Sequence, residues 1–148
     1  MSFSIFPDTS VWVALSVSRH VHHGAARHWF ERRSADTRYH FCRLTQMGLL
    51  RLLSQDAVMG AREALGQEAA WATYDRWLED LRVDFLDEPA GLEVFFRQWP
   101  RSLRPAPQRW SDDYLCAFAG AAGLRLATFD RALQQRQPGA ILVGGAPN

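Results

Sequence analysis

Three aspartates occupy comparable points in this chain. Asp8 follows the short run Ser4-Ile5-Phe6-Pro7, Asp112 heads Ser111-Asp112-Asp113-Tyr114, and Asp130 follows Leu126-Ala127-Thr128-Phe129. Taken singly, each has an ordinary explanation, because Asp, Ser and Thr accept hydrogen bonds from the open N–H groups of a helix start. Taken together they offer chemistry. Carboxylates that converge with no Lys or Arg in their own segments repel one another, and they stay ionised only around a cation. Hard oxygen donors with open positions suit Mg²⁺, with Mn²⁺ as its substitute. Such an ion polarises a phosphodiester and lowers the pKa of an attacking water.

For these residues to meet, the intervening chain must bring them to one edge. Ser4 to Phe6 reads as a buried strand. Thr9–Leu15 and His22–Arg33 read as helices, the second carrying Ala25, Ala26, Trp29 and Phe30 on one face. A short strand over Arg38–Phe41 precedes a helix over Arg43–Leu53, with Leu49, Leu50 and Leu53 at helical spacing. Ala61–Leu81 is amphipathic, Arg82–Leu86 alternates as a strand does, and Pro89 suits the first turn of a further helix. Arg101–Arg109 reads as a loop. Ser111–Ala122 reads as a helix stopped by Gly123, followed by a strand over Leu124–Thr128, a short helix over Asp130–Gln135 and a last strand over Ala140–Val143. Alternating strands and helices predict an α/β fold, a parallel sheet covered on both faces. In such a sheet, side chains just past the carboxyl ends of the strands converge on one crevice. Asp112 heads a stripe of Leu115, Ala119 and Ala122, which aims it at the same edge.

The bulk composition fits this picture without adding to it. The 148 residues suit one domain spanning 1–148, and the 47% apolar fraction, with six Trp and nine Phe, supplies a core. The net charge of +1 carries no global signature of nucleic-acid binding, so a polyanion would have to be held locally. Cys42 and Cys116 have no ligand-like spacing and read as buried thiols of a reducing compartment. With no signal-peptide pattern and no membrane-length apolar run, the expectation is a cytoplasmic protein with no membrane partner.

Three segments carry a family resemblance. Phe6-Pro7-Asp8-Thr9-Ser10-Val11-Trp12, Trp110-Ser111-Asp112-Asp113-Tyr114-Leu115-Cys116-Ala117-Phe118-Ala119 and Leu126-Ala127-Thr128-Phe129-Asp130 resemble the signature segments of the PIN-domain nucleases. Phe41 to Leu53 is similar to the VapC-type toxins of bacterial toxin–antitoxin systems. The resemblance runs through essentially the whole chain. It implies a three-layer α/β/α sandwich with a central parallel sheet and Mg²⁺-dependent endonucleolytic cleavage of RNA. It also implies a small cognate antitoxin and a homodimer. Carried onto this sequence, it makes Asp8, Asp112 and Asp130 the catalytic carboxylates, with Asp8 and Asp112 as the principal metal ligands. Thr128 is the hydroxyl before the last acid, and Thr9 and Thr128 are expected to orient carboxylates or water. Asp113 falls off the buried stripe and reads as a helix-start charge, with an outer-sphere role as the alternative.

One departure concerns metal number. Many PIN nucleases carry a glutamate where this chain has Gln46, and a neutral amide cannot help hold a second cation. One tight metal is therefore expected, with Gln46 facing the site or hydrogen-bonding the aspartates. Other features are weaker. His20, His22 and His23 lack a fourth ligand at suitable spacing and read as a helix-start cluster. Trp71 and Trp77 share a helical stripe and read as core or dimer contact. Arg97, Arg101, Arg104 and Arg109 are either a solvated face or the local grip on substrate phosphates. Two rival functions remain open. One is an inactive PIN-like interaction module. The other is a phosphomonoesterase, against which stands Ser10, where a second Asp would be wanted.

Overall fold

Residues 3–145 are described by a computed structural model of the chain. Its strands are β1 (Ser4–Pro7), β2 (Arg38–Phe41), β3 (Val83–Phe85), β4 (Arg125–Thr128) and β5 (Ile141–Leu142). The helices are α1 (Thr9–Ser16), α2 (His23–Glu31), α3 (Arg43–Leu53), α4 (Asp56–Met59), α5 (Gln67–Glu79), α6 (Leu92–Gln98), α7 (Arg109–Ala122) and α8 (Arg131–Arg136). All strand pairs are parallel and the sheet order is β3-β2-β1-β4-β5.

Alternation along the strands divides the core into two layers. Ile5, Tyr39, Phe41 and Ala127 face a cluster closed by α1, α2, α3 and α5. Phe6, Cys42 and Leu126 face a second cluster closed by α6, α7 and α8. Trp12 of α1 stacks on Phe41 with ring centroids 3.8 Å apart, and Phe6 stacks on Phe118 of α7 at 4.8 Å. Each large apolar side chain buried this way contributes roughly 1.5–3 kcal/mol, so two layers of packing carry the fold. This is the expected α/β/α sandwich.

The topology decides where the aspartates lie. From β1 the chain moves outward to β2 and β3 with its helices on one face. It then crosses to β4 and β5 with its helices on the other. The reversal falls between β1 and β4, and the crevice outside the carboxyl ends of those two strands is where doubly wound sheets bind ligands. Asp8 N donates to Ala127 O at 2.9 Å, pinning the end of β1 to the end of β4. Helix α3 approaches α1 closely at Gly48, where an added Cβ would come within 2.6 Å of Thr9 Cγ2.

Several boundaries differ from the sequence expectation. The helix expected from Ala61 starts at Gln67, because Leu65 N turns back to Leu53 O at 2.8 Å. The helix expected at Pro89 begins at Leu92, after Gly91 at φ 81°. Helix α7 begins at Arg109 rather than Ser111, which changes what Asp112 does. Trp77 packs edge-on against Trp12 and donates to Ser16 Oγ at 2.8 Å, whereas Trp71 stays exposed. Cys42 and Cys116 are buried unpaired thiols. Among the described residues no helix is long and apolar enough to cross a membrane.

Candidate active site

Asp8 is the buried member of the site. It stands between β1 and α1, and its Oδ1 accepts the N–H of Val11 at 3.0 Å, capping α1. Its Oδ2 accepts the Thr128 hydroxyl at 2.5 Å. Burial raises the Asp8 pKa from 3.8 to about 6, against the lowering effect of those two hydrogen bonds, and the charges of Asp112 and Asp130 push it further up. Neither oxygen has an arginine partner. Asp8 is thus a carboxylate held nearly out of water, facing like charges, with no cationic partner among the described residues.

Thr128 links two of the acids. Fully buried at the end of β4, it donates to Asp8 and accepts the Asp130 N–H at 3.0 Å. Asp130 Oδ1 caps α8, accepting Ala132 N at 2.8 Å and Leu133 N at 3.2 Å. The helix-cap reading therefore holds for both Asp8 and Asp130, and it does not conflict with a second role. It fails for Asp112. Because α7 starts at Arg109, Asp112 lies inside the first turn, where its half-buried carboxylate is the acidic residue of that turn but accepts no capping hydrogen bond. Burial raises its pKa; Arg136 lowers it, and Asp130 and Asp113 raise it again.

Several expectations need correction. The three carboxylates do not gather around one point. Among the described residues, no three His, Cys, Asp or Glu side chains stand close enough to hold an ion together. The reason is visible in their partners, since Asp130 is turned to its cap and Asp112 toward Arg136 Nη2 at 3.9 Å. Asp113 is not the outlying charge expected: its side chain is 16% exposed against 37% for Asp112, and it bridges Arg136 at 3.1 Å and Arg109 at 3.8 Å. Gln46 is buried but does not bond the aspartates, because Arg43 Nη1 donates to its Oε1 at 2.5 Å and Tyr74 is its other partner. The Thr9 side chain lies against Gly48 and makes no hydrogen bond to the three acids. His20, His22 and His23 form no metal cluster; His23 Nδ1 meets Ala14 O at 2.8 Å and His22 stacks on Phe129.

Arg136 is the residue that sequence reasoning missed. It is the last residue of α8, and its guanidinium spans Asp112 and Asp113. Its signal was faint: an arginine one and a half turns beyond Asp130 in a six-residue helix, where a basic residue also suits the helix end. Arg97, Arg101, Arg104 and Arg109, by contrast, are brought together around one cleft of 620 Å³ beside the start of α7.

Asp8 is a buried carboxylate at the switch point of a doubly wound sheet, without a cationic side-chain partner among the described residues and within electrostatic reach of Asp112 and Asp130. The chain belongs to the PIN domain family, whose model matches residues 5–137. Within that family it is 44% identical over 131 residues to Ribonuclease VapC41 of Mycobacterium tuberculosis, covering 86% of this chain and 90% of that protein. Ribonuclease VapC29 of the same organism is 30% identical over 132 residues, covering 88% of each. The fold matches the crystal structure of Mycobacterium tuberculosis VapC20, a Sarcin-Ricin loop cleaving toxin, with a TM-score of 0.66 at 20% identity over 94% of this chain and 98% of that one. It also matches VapBC2 from Rickettsia felis, bound to a DNA fragment from their promoter, with a TM-score of 0.67 at 13% identity over 94% and 96%.

Proposed function

We propose that this protein is a Mg²⁺-dependent endoribonuclease that acts as the toxin of a toxin–antitoxin pair. The observation that carries the reading is Asp8: buried, uncompensated by any cationic side chain, and repelled by Asp112 and Asp130. The donor chemistry fits a hard divalent ion. Mg²⁺ typically keeps several waters and takes only one or two protein carboxylates, so a pair consisting of Asp8 and Asp112 is sufficient. The absence of a three-acid cluster among the described residues does not count against it. When bound there, Mg²⁺ or Mn²⁺ would offset the carboxylate charge, polarise a phosphodiester and acidify an attacking water.

The chain's own residues set up that chemistry. Thr128 fixes the Asp8 carboxylate by donating to Oδ2, and the α1 N-terminus fixes it by donating to Oδ1. Asp130 is held at the same edge by its own cap and contributes negative charge. Arg136 keeps Asp112 in place and partly neutralises it. Arg101 and Arg104 hold backbone phosphates, with Arg97 and Arg109 beside them. The relation to Ribonuclease VapC41 supports RNA as the substrate, and the likeness to VapBC2 supports an antitoxin partner. A homodimer belongs to the same reading, since Met47 of α3 and Trp71 and Leu78 of α5 leave large apolar surface exposed.

Purified protein is expected to cleave single-stranded RNA internally when Mg²⁺ is present, to stop on chelation, and to resume when Mn²⁺ is added. Cleavage that persists with excess chelator refutes the metal-dependent reading. The competing reading, a non-catalytic PIN-like interaction module, draws on Asp8 and Asp130 both serving as caps, and it predicts no cleavage under any of these conditions.

A further inference from the structure

The cleft beside the start of α7 holds more than arginines. Three aromatic side chains, Phe96, Trp99 and Trp110, line it between the guanidinium groups. Trp110 is the notable one, because a ring of that size in a helix normally seeks cover and this one is 69% exposed. Phe96 backs it with ring centroids 6.1 Å apart, so one ring is braced and the outer face is open. Arg97 is engaged by Glu93 at 3.5 Å, and Arg109 by Pro100 O at 2.9 Å and Asp113 at 3.8 Å. Among the described residues Arg101 and Arg104 form no ion pair. Ser102 Oγ, donating to Arg104 O at 2.9 Å and accepting Arg104 N at 3.3 Å, stiffens the loop that presents them.

The cleft shares a wall with the carboxylate centre. Asp113 lines it, Arg136 bonds Asp113 at 3.1 Å, and the same Arg136 reaches Asp112 at 3.9 Å. A ligand seated there touches the residue next in sequence to Asp112 and shares the Arg136 network with it. Its walls ask for two chemistries at once, a flat π-face to stack on an open indole and negative charge for unpaired guanidinium groups. Unpaired nucleotides supply both, which is why single-strand binding surfaces combine aromatic platforms with a cationic track. The volume of 620 Å³ is in the ordinary range of roughly 300–1,000 Å³ for a small-molecule site.

We propose that this cleft is a nucleobase subsite, in which one unpaired base of the RNA stacks on Trp110 while Arg101 and Arg104 take the flanking phosphates. The choice of RNA rests on the ribonuclease reading; the stacking itself requires no catalysis. The subsite makes an unstacked base a condition of binding at this cleft.

The test uses full-length Asp8→Asn protein, to separate binding from cleavage, and an unstructured RNA of roughly eight nucleotides read by fluorescence anisotropy. Adding Trp110→Ala is expected to weaken binding about tenfold, Trp110→Phe to recover most of it, and Arg101→Ala with Arg104→Ala to weaken it comparably. Leu81→Ala, a control at an exposed apolar residue in the loop between α5 and β3, leaves binding unchanged. An oligonucleotide lacking bases should bind equally well whether Trp110 is intact or replaced by alanine. Equal affinity of the two proteins for ordinary RNA, the same loss on base-free RNA, or a defect confined to antitoxin binding each overturns the subsite. If RNA is still cleaved by wild type while Trp110→Ala changes nothing, the subsite falls alone. If wild type neither binds nor cleaves RNA, the ribonuclease reading falls with it.

Discussion

Replacing Asp8 by asparagine is expected to slow RNA cleavage on the order of 100- to 1,000-fold while making the metal-free protein more stable near neutral pH. Two opposite effects arise from one group. The carboxylate is the strongest candidate ligand, so its loss removes the charge that would hold the cation. Yet in the absence of metal that same charge is a burden on the fold. Its pKa is about 6 in the folded chain against 3.8 ordinarily, so between those values the folded state binds more protons than the unfolded one. The protonated form suits the fold. The associated stability is fully present below 3.8 and is lost as pH rises through about 6. A shift of that size corresponds to roughly 3 kcal/mol. Asparagine is permanently neutral and still accepts the Val11 N–H, being as good a helix cap as aspartate. Urea unfolding should therefore show wild type weakening from about pH 4 to about pH 7 while the asparagine variant stays flat across that step. A variant that is inactive and also less stable at neutral pH would make Asp8 a structural residue.

Thr128→Val is expected to destabilise the protein by roughly 3 kcal/mol at neutral pH and to impair cleavage, although valine nearly matches threonine in shape. The fully buried hydroxyl donates to Asp8 Oδ2 and accepts from Asp130 N, so removing it strands a charged acceptor and a backbone donor together. The hydrogen bond from Thr128 also lowers the Asp8 pKa, so its loss drives that pKa higher. The penalty should accordingly shrink below about pH 5, where Asp8 is protonated in either protein, and grow above about pH 6. Combining the change with Asp8→Asn should give less than the sum of the two effects, because the stranded charge is gone. Simple additivity would show that the two side chains are not coupled.

These effects concentrate on residues that the sequence displays openly. Asp8, Thr128 and Asp130 are legible because each stands at the end of a short apolar strand, and a parallel sheet sends all such ends to one edge. The two-layer core is legible because Ile5 and Phe6, or Leu126 and Ala127, must face opposite sides. What escaped was set by contacts between distant helices. Arg136 reaches Asp112 and Asp113 only because α8 is six residues long and ends over the first turn of α7. Gln46 turns from the acids because Arg43, whose guanidinium lies over the Phe85 ring, and Tyr74 from α5 claim its amide. The early start of α7 depends on the loop before it, where Arg109 N bonds Ala106 O at 3.0 Å. That two-residue shift removed the capping role from Asp112 and turned Trp110 into a helical residue on the cleft.

The central claim is that Asp8 and Asp112 together bind a divalent ion, and calorimetric titration of Mg²⁺ or Mn²⁺ into metal-free protein tests it most directly. Wild type should bind saturably near neutral pH, weaken below about pH 6 as Asp8 protonates, and release a fraction of a proton on binding near that pH. Asp8→Asn and Asp112→Asn should each abolish the heat. Undetectable binding to wild type, or binding that survives both substitutions, would contradict the account.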